Sequence, residues 1–264
     1  MVYSQLLNFI NMIKKLIKKF LPNFILKYRE RYILYNARKK FSNMDLKDVF
    51  KEIYLKKMWC PENEKFNFKF YSGSGSHYPE FVLKYLKETS SFLCSLNKKP
   101  DVVDLGCGDF AIGSKLRELC NQYIAVDIFD ELIDFNKQKY RDLNVDFRVL
   151  DITRDELPKA DVCFVRQVLQ HLSNDSIKNF IRLIKNKYKY LILTEHLPED
   201  KNFFPNLDKP DGPDIRLVDN NSAVVLTMPP FNLKVKKELI LCETKSKSII
   251  GFKGVVKTQL LQLY

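Results

Sequence analysis

Two glycines, Gly106 and Gly108, break the run VVDLGCGDF (residues 102–110) between an apolar strand and a helical segment. A second apolar run, YIAVD, ends on Asp127, 19 residues beyond Gly108. This order constrains the fold strongly. A strand, a glycine turn, a helix and a strand tipped by an acid make a parallel βαβ unit that holds a nucleoside at the carboxyl ends of its strands. Glycine lets the backbone come close to a ligand. A carboxylate at the strand tip accepts hydrogen bonds from ribose hydroxyls. A dinucleotide fingerprint would place its third small residue at Ala111, which it tolerates. The acid ahead of the loop, Asp104, is less expected there. The competing reading is a tight strand–helix turn with no ligand, and the spacing to Asp127 argues against it.

The rest of the chain extends the alternation. Strands are expected at 101–105, 123–127, 146–150, 161–165 and 190–194. Helices are expected at 110–120, 130–141 and 173–187, with Ser173 as an N-cap. A Pro- and Asp-rich segment spans 197–232. Two last strands, 235–242 and 249–260, are joined by the polar turn ETKSKS. They are too close for a crossover helix, so they form an antiparallel hairpin at one sheet edge. The expected fold is α/β: a Rossmann-like doubly wound sheet, mostly parallel, with a C-terminal antiparallel hairpin and an N-terminal helical extension. Its expected parts are a basic amphipathic extension (1–40), a helical cap with a Ser-Gly loop (41–94) and the main domain (95–264), with 197–232 inserted on the substrate side.

The run DLGCGD, with its acid-x-Gly-x-Gly order, resembles the first motif of the class I S-adenosylmethionine-dependent methyltransferases. The terminal hairpin fits that family too, and the resemblance covers about residues 95–264. It implies a cofactor site at Asp104, Gly106, Cys107, Gly108, Asp127 and Ile128. Asp151 in VLDIT stands where the family places an acid on the adenine amino group, with Ile152 packing on the ring. DVCFVRQVLQHL (161–172) is similar to the fourth strand and its loop, which puts Gln167 near the methionine moiety. The SGSGS loop and the stretch PNLDKP are similar to small bacterial members of the family. The implied cofactor is S-adenosylmethionine and the implied reaction methyl transfer. The runner-up reading, a nicotinamide-dependent oxidoreductase, lacks a Tyr/Lys pair for hydride transfer.

Methyl transfer to an alcohol needs a base for the departing proton. The chain has three histidines. His171 follows the fourth strand, His196 follows the fifth, and His77 sits in the Ser-Gly loop. His196 beside Glu195 is the first candidate base and His171 the second. The acceptor side is expected to comprise Ser74, Ser76, His77 and Tyr78 together with Asp208, Asp211, Asp214 and Arg216. These acids and Arg216 suit a sugar or nucleotide-linked sugar. Two other readings stand beside this one: a divalent metal held by the aspartates and His196, or a rigid loop of prolines and Asx turns. Phosphate-type, amine and RNA ribose acceptors remain open. The absence of an N-P-P-[YF] motif after the fourth strand argues against DNA.

The net charge of +12 is concentrated in one place. Residues 1–40 hold ten Lys or Arg and one acid, Glu30, so the remaining chain is nearly balanced. Leu6, Leu7, Ile10, Ile13, Leu16, Ile17 and Phe20 lie at helical spacing among these charges. This extension suits a peripheral membrane contact, or a helix packed on the domain or on the second subunit of a homodimer. It is too short in apolar length to span a bilayer and lacks a signal cleavage pattern. The six cysteines are scattered without a C-x-x-C, the usage of a reducing compartment. A cytoplasmic location, with access to the inner membrane surface, is expected.

Overall fold

The computed structural model describes residues 36, 38–61, 64–65, 67–249 and 252–264. The chain divides into two compact units, Met1–Asn43 and Met44–Tyr264. In the first, residues 38–41 are helical, and Ser42 closes the turn by donating from its N to the Arg38 carbonyl at 2.9 Å. The apolar stripe expected before residue 21 lies outside the described residues.

The second unit is built on a sheet of β1 (Val102–Leu105), β2 (Tyr123–Asp127), β3 (Asp146–Val149), β4 (Val162–Arg166), β5 (Tyr190–Pro198), β6 (Lys237–Ile249) and β7 (Phe252–Gln262). The spatial order is β3-β2-β1-β4-β5-β7-β6. The first five strands pair in parallel, and β7 runs antiparallel between β5 and β6. β1 and β4 are near-continuous apolar runs because helices cover both faces of a parallel sheet. The order reverses between β1 and β4. Such a switch point opens a crevice at the carboxyl ends of the strands, and the Gly106 loop stands there.

The helices are α1 (Leu46–Leu55), α2 (Ser74–His77), α3 (Pro79–Cys94), α4 (Gly113–Leu116), α5 (Asp130–Lys139), α6 (Asn174–Ile184) and α7 (Arg216–Asn220). Asp45 caps α1 by accepting from the Lys47 N at 3.1 Å. Ser173 caps α6 as expected, its side chain accepting from the Ser176 N.

Two expectations need correction. The helix expected at 110–120 is only the four residues of α4 followed by a 3-10 turn at Arg117–Leu119. Gly108 and Phe110 both take positive φ, which delays helical geometry by a turn. Phe110 is held there by burial, with its ring edge-on to Tyr123, Tyr140 and Phe147. ETKSKS is not the hairpin turn, because β6 continues through it and pairs with β7 as far as Ile249↔Phe252. The α1–α3 segment lies in the same compact unit as the sheet.

Candidate functional site

The glycine loop is compact because nothing larger fits. A Cβ on Gly106 would lie 2.5 Å from Val168 Cγ2, and one on Gly108 would lie 2.2 Å from Ser72 Oγ. Both residues have positive φ, +77° and +56°. The Asp127 carboxylate fastens the loop from the next strand. Its Oδ2 accepts from the Gly108 N at 3.0 Å and its Oδ1 from the Phe129 N at 3.3 Å. Burial pushes the Asp127 carboxyl up to about 6, against the pull of these backbone donors. Asp104, on β1, accepts from the Tyr123 hydroxyl at 3.0 Å, and burial pushes it up to about 7. Asp151 accepts from the Thr153 N at 2.8 Å and the Thr153 hydroxyl at 2.7 Å, an Asx turn that fixes the carboxylate at the end of β3.

These groups border one cavity whose empty space, open mouth included, is about 950 Å³. The fold brings all nine residues of the expected cofactor set to its wall: Asp104, Gly106, Cys107, Gly108, Asp127, Ile128, Asp151, Ile152 and Gln167. The carboxylates at the tips of β2 and β3 and a loop that only glycine can form match the chemistry of an adenosine with a charged tail. Further lining comes from α1 and the segment between α1 and α3: Leu46, Phe50, Tyr54, Trp59, Ser72 and Ser76. This wall is latched to the glycine loop. The Ser72 N donates to Asp109 Oδ2 at 3.2 Å, the Asp109 N donates to Ser72 Oγ at 2.6 Å, and the His77 ring nitrogen Nε2 lies 2.6 Å from Asp109 Oδ2. His77 also stacks on Tyr71, ring centroids 4.3 Å apart. Of the Ser-Gly loop, Ser72 and Ser76 line the cavity, while Ser74, His77 and Tyr78 shape the turn behind it.

The histidines do not converge. His171 borders the cavity and packs at a tilt against Trp59, ring centroids 4.7 Å apart. Its Nε2 lies 3.3 Å from the Gln170 amide. Burial, and then the Lys209 ammonium, lower its pKa to about 3. His196 does not line the cavity. It is buried under the terminal hairpin, with Nε2 2.7 Å from Ser246 Oγ and packed on Gly254. Glu195 faces elsewhere, as neighbours on a strand must. Its Oε1 accepts from the Leu169 N at 3.2 Å, and burial pushes its pKa up to about 8. His196 with Glu195 is therefore no base for chemistry in this cavity.

The insertion behaves as a rigid loop, and its polar groups are committed to protein. Asp208 Oδ1 accepts from the Asn174 N and Asp211 Oδ1 from the Ser173 N, at 2.8 and 2.7 Å, so both acids serve the N-terminus of α6. Asp214 pairs with the buried Lys209 at 3.7 Å. Arg216 is 1% exposed; it donates to the Leu207 and Leu172 carbonyls at 2.9 and 2.7 Å and to Asn174 Oδ1 at 2.9 Å. None of the four lines the cavity. Among the described residues no group of three His, Cys, Asp or Glu is placed to hold a metal, so the aspartates and His196 do not assemble. Arg216→Ala should cost about 3–5 kcal/mol of stability, because it strips buried acceptors of a charged donor. Thermal unfolding would measure this. An unchanged melting temperature would contradict the structural role.

Sequence reasoning missed the aromatic wall and Arg166. Tyr54 and Trp59 stand in an amphipathic helix and the polar stretch after it, with no motif to mark them. Arg166 is visible in VRQVLQ, but its burial on Tyr85, with the guanidinium 4.8 Å from the ring centre, depends on how α3 packs on the sheet. No helix among the described residues is long and apolar enough to cross a membrane.

A family model described as a methyltransferase domain matches residues 102–189, which span β1 to the start of β5. Among solved structures, the N-methyltransferase NodS from Bradyrhizobium japonicum, in complex with S-adenosyl-L-homocysteine, is similar over 80% of this chain and 97% of its own, at 11% identity and a TM-score of 0.55. Magnesium protoporphyrin IX methyltransferase from Synechocystis, with bound S-adenosylmethionine, aligns over 84% and 99% at 12% identity and a TM-score of 0.49. At such identities the likeness is one of fold. No curated protein matches by sequence.

Proposed function

We propose that this chain, which carries a methyltransferase domain over residues 102–189, moves a methyl group from S-adenosylmethionine to a small polar acceptor. The observation that carries the reading is the convergence of Asp104, the Gly106–Gly108 loop, Asp127, Asp151 and Gln167 on one cavity wall. Asp127 would receive the ribose hydroxyls and Asp151 the adenine amino group, with Ile128 and Ile152 packing on the ring. The bound cofactor supplies an electrophilic methyl on a sulfonium. The chain's own contribution is to place the acceptor in line with it and to exclude water, the larger part of such catalysis. Phe50, Tyr54 and Trp59 supply the dry wall.

The cavity also bears on the acceptor. Of the three histidines only His171 borders it, and its pKa of about 3 makes it a weak base. A weak base suits an acceptor that ionises readily or attacks through a nitrogen lone pair, and suits an unactivated sugar hydroxyl less well. The insertion aspartates, engaged with the backbone, withdraw the main support for a sugar. We therefore rank an acidic hydroxyl or an amine ahead of it. A screen of radiolabelled methyl transfer from S-adenosylmethionine, over amines, phenol-type hydroxyls and nucleotide sugars, decides among these. Label on an amine or acidic hydroxyl is the expected outcome. Label on nucleotide sugars alone would overturn the ranking.

A further inference from the structure

The four carboxylates in the cavity lining, Asp104, Asp109, Asp127 and Asp151, belong to β1, the glycine loop and the ends of β2 and β3. In the strand order β3-β2-β1-β4, the nucleoside contacts proposed above fall on the β2 and β3 side. After β4 the lining changes character. It holds Val168, His171 and Leu172, and Trp59 packs there against His171, ring planes 38° apart. The one polar atom of the indole, Nε1, donates to the Pro213 carbonyl at 3.0 Å. Phe50 and Tyr54 back the indole, with ring centroids at 6.2 and 5.4 Å. No carboxylate of the lining comes from the segment after β4.

A short relay of hydrogen bonds fixes what His171 can do. The His196 N–H donates to Gln170 Oε1 at 3.3 Å, and Gln170 Nε2 donates to the Gln167 carbonyl at 3.4 Å. A backbone N–H only donates and a carbonyl only accepts, so the two ends of the Gln170 amide are assigned. The amide NH2 then donates to His171 Nε2 at 3.3 Å. That nitrogen is the lone-pair side of a neutral ring, and the proton sits on Nδ1. Nδ1 is buried and makes no hydrogen bond. The backbone of Gly212 and Asp214 acts on the ring against burial, in the sense that favours a proton there. Neither nitrogen is open to take a proton from an acceptor, so His171 offers the cavity a neutral ring. We infer that Trp59 and His171 seat a flat, uncharged aromatic ring of the acceptor, which brings its own ready nucleophile, an acidic hydroxyl or an aryl amine. This rests on the methyl-transfer reading above and narrows it. Aromatic pairs gain more than their buried area alone. A cationic alkyl amine would find no counter-charge in this corner. In the transfer, the oxygen or nitrogen lone pair forms the bond to the methyl carbon as the C–S bond breaks and its electron pair stays on sulfur. The proton goes to solvent, before attack from a hydroxyl and after it from an amine.

The experiment saturates the full chain with S-adenosylhomocysteine and titrates it with phenol and with cyclohexanol, which share a size and a hydroxyl and differ in the ring. Wild type should bind phenol about 5- to 10-fold more tightly, the gain expected of aromatic contacts. Trp59→Leu and His171→Leu keep an apolar side chain without a ring, and each should lose most of this preference. Trp59→Phe and His171→Phe keep a ring and should retain most of it. The affinity for S-adenosylhomocysteine, measured in the same preparations, should hold throughout.

Equal affinity of wild type for the two probes, or no binding of phenol, would overturn the inference and leave the cofactor reading standing. So would a preference for phenol that survives both leucine variants. If His171→Phe lost as much as His171→Leu, a nitrogen of His171 rather than its ring would meet the acceptor, which also overturns it. Should a leucine variant lose S-adenosylhomocysteine as well, the phenylalanine variants decide: a retained preference supports the seat and its loss overturns it. Failure of wild type to bind S-adenosylhomocysteine would bring down the cofactor reading, and this inference with it.

Discussion

Asp127→Ala should weaken S-adenosylhomocysteine binding by at least about 100-fold, as two lost hydrogen bonds to a charged group imply. The effect has two sources. The carboxylate is the proposed ribose acceptor, and it already holds the Gly108 and Phe129 N–H groups. Alanine removes both functions and leaves two backbone donors without acceptors. Asp127→Asn separates them: its amide keeps the size, but its NH2 must face one of those N–H groups. The Asn variant should therefore bind better than the Ala variant and worse than wild type. Calorimetry measures all three. Wild-type affinity in the alanine variant would remove Asp127 from the site.

Gly108→Ala should be strongly damaging. The added Cβ would fall 2.2 Å from Ser72 Oγ and 2.8 Å from Ser72 Cβ, in a residue whose φ is +56°. The left-handed backbone alone costs a non-glycine residue about 1–2 kcal/mol. The steric conflict then pushes Ser72 off the Asp109 N and unlatches the aromatic wall from the loop. Both the melting temperature and the S-adenosylhomocysteine affinity should fall, the latter by about 10-fold or more. Adding Ser72→Ala should recover little, because the Cβ conflict and the positive φ remain. Full recovery in the double variant would show that only the hydroxyl mattered.

These two sites also show what the sequence reveals. That these residues share one cavity wall was legible because its determinants are local: a glycine pair after a strand, and acids at the tips of β2 and β3, each fixed by the residues on either side. Parallel topology carries such tips to one edge whatever the rest of the chain does. The acceptor side depends on tertiary packing and was not legible. Three histidines near strand ends suggested convergence, yet β5 runs on to Pro198 and carries His196 under the terminal hairpin. The aspartates at 208, 211 and 214 looked like ligand groups, but the unpaired N–H groups that start α6 take two of them and Lys209 takes the third. Arg216 looked like an anion receptor and is a buried brace. Arg166 drew no notice in the sequence and lines the cavity at the end of β4, with both Nη atoms donating into the Ser-Gly turn. A charge in a sequence does not say who its partner is, and only the fold assigns it.

The most direct test of the account is calorimetric titration of the full chain with S-adenosylhomocysteine and, separately, with NAD. Both carry an adenosine, so a generic nucleoside crevice would admit either. The account predicts saturable one-to-one binding of S-adenosylhomocysteine, lost in Asp127→Ala, and no binding of NAD. Binding of NAD with no binding of S-adenosylhomocysteine would contradict it.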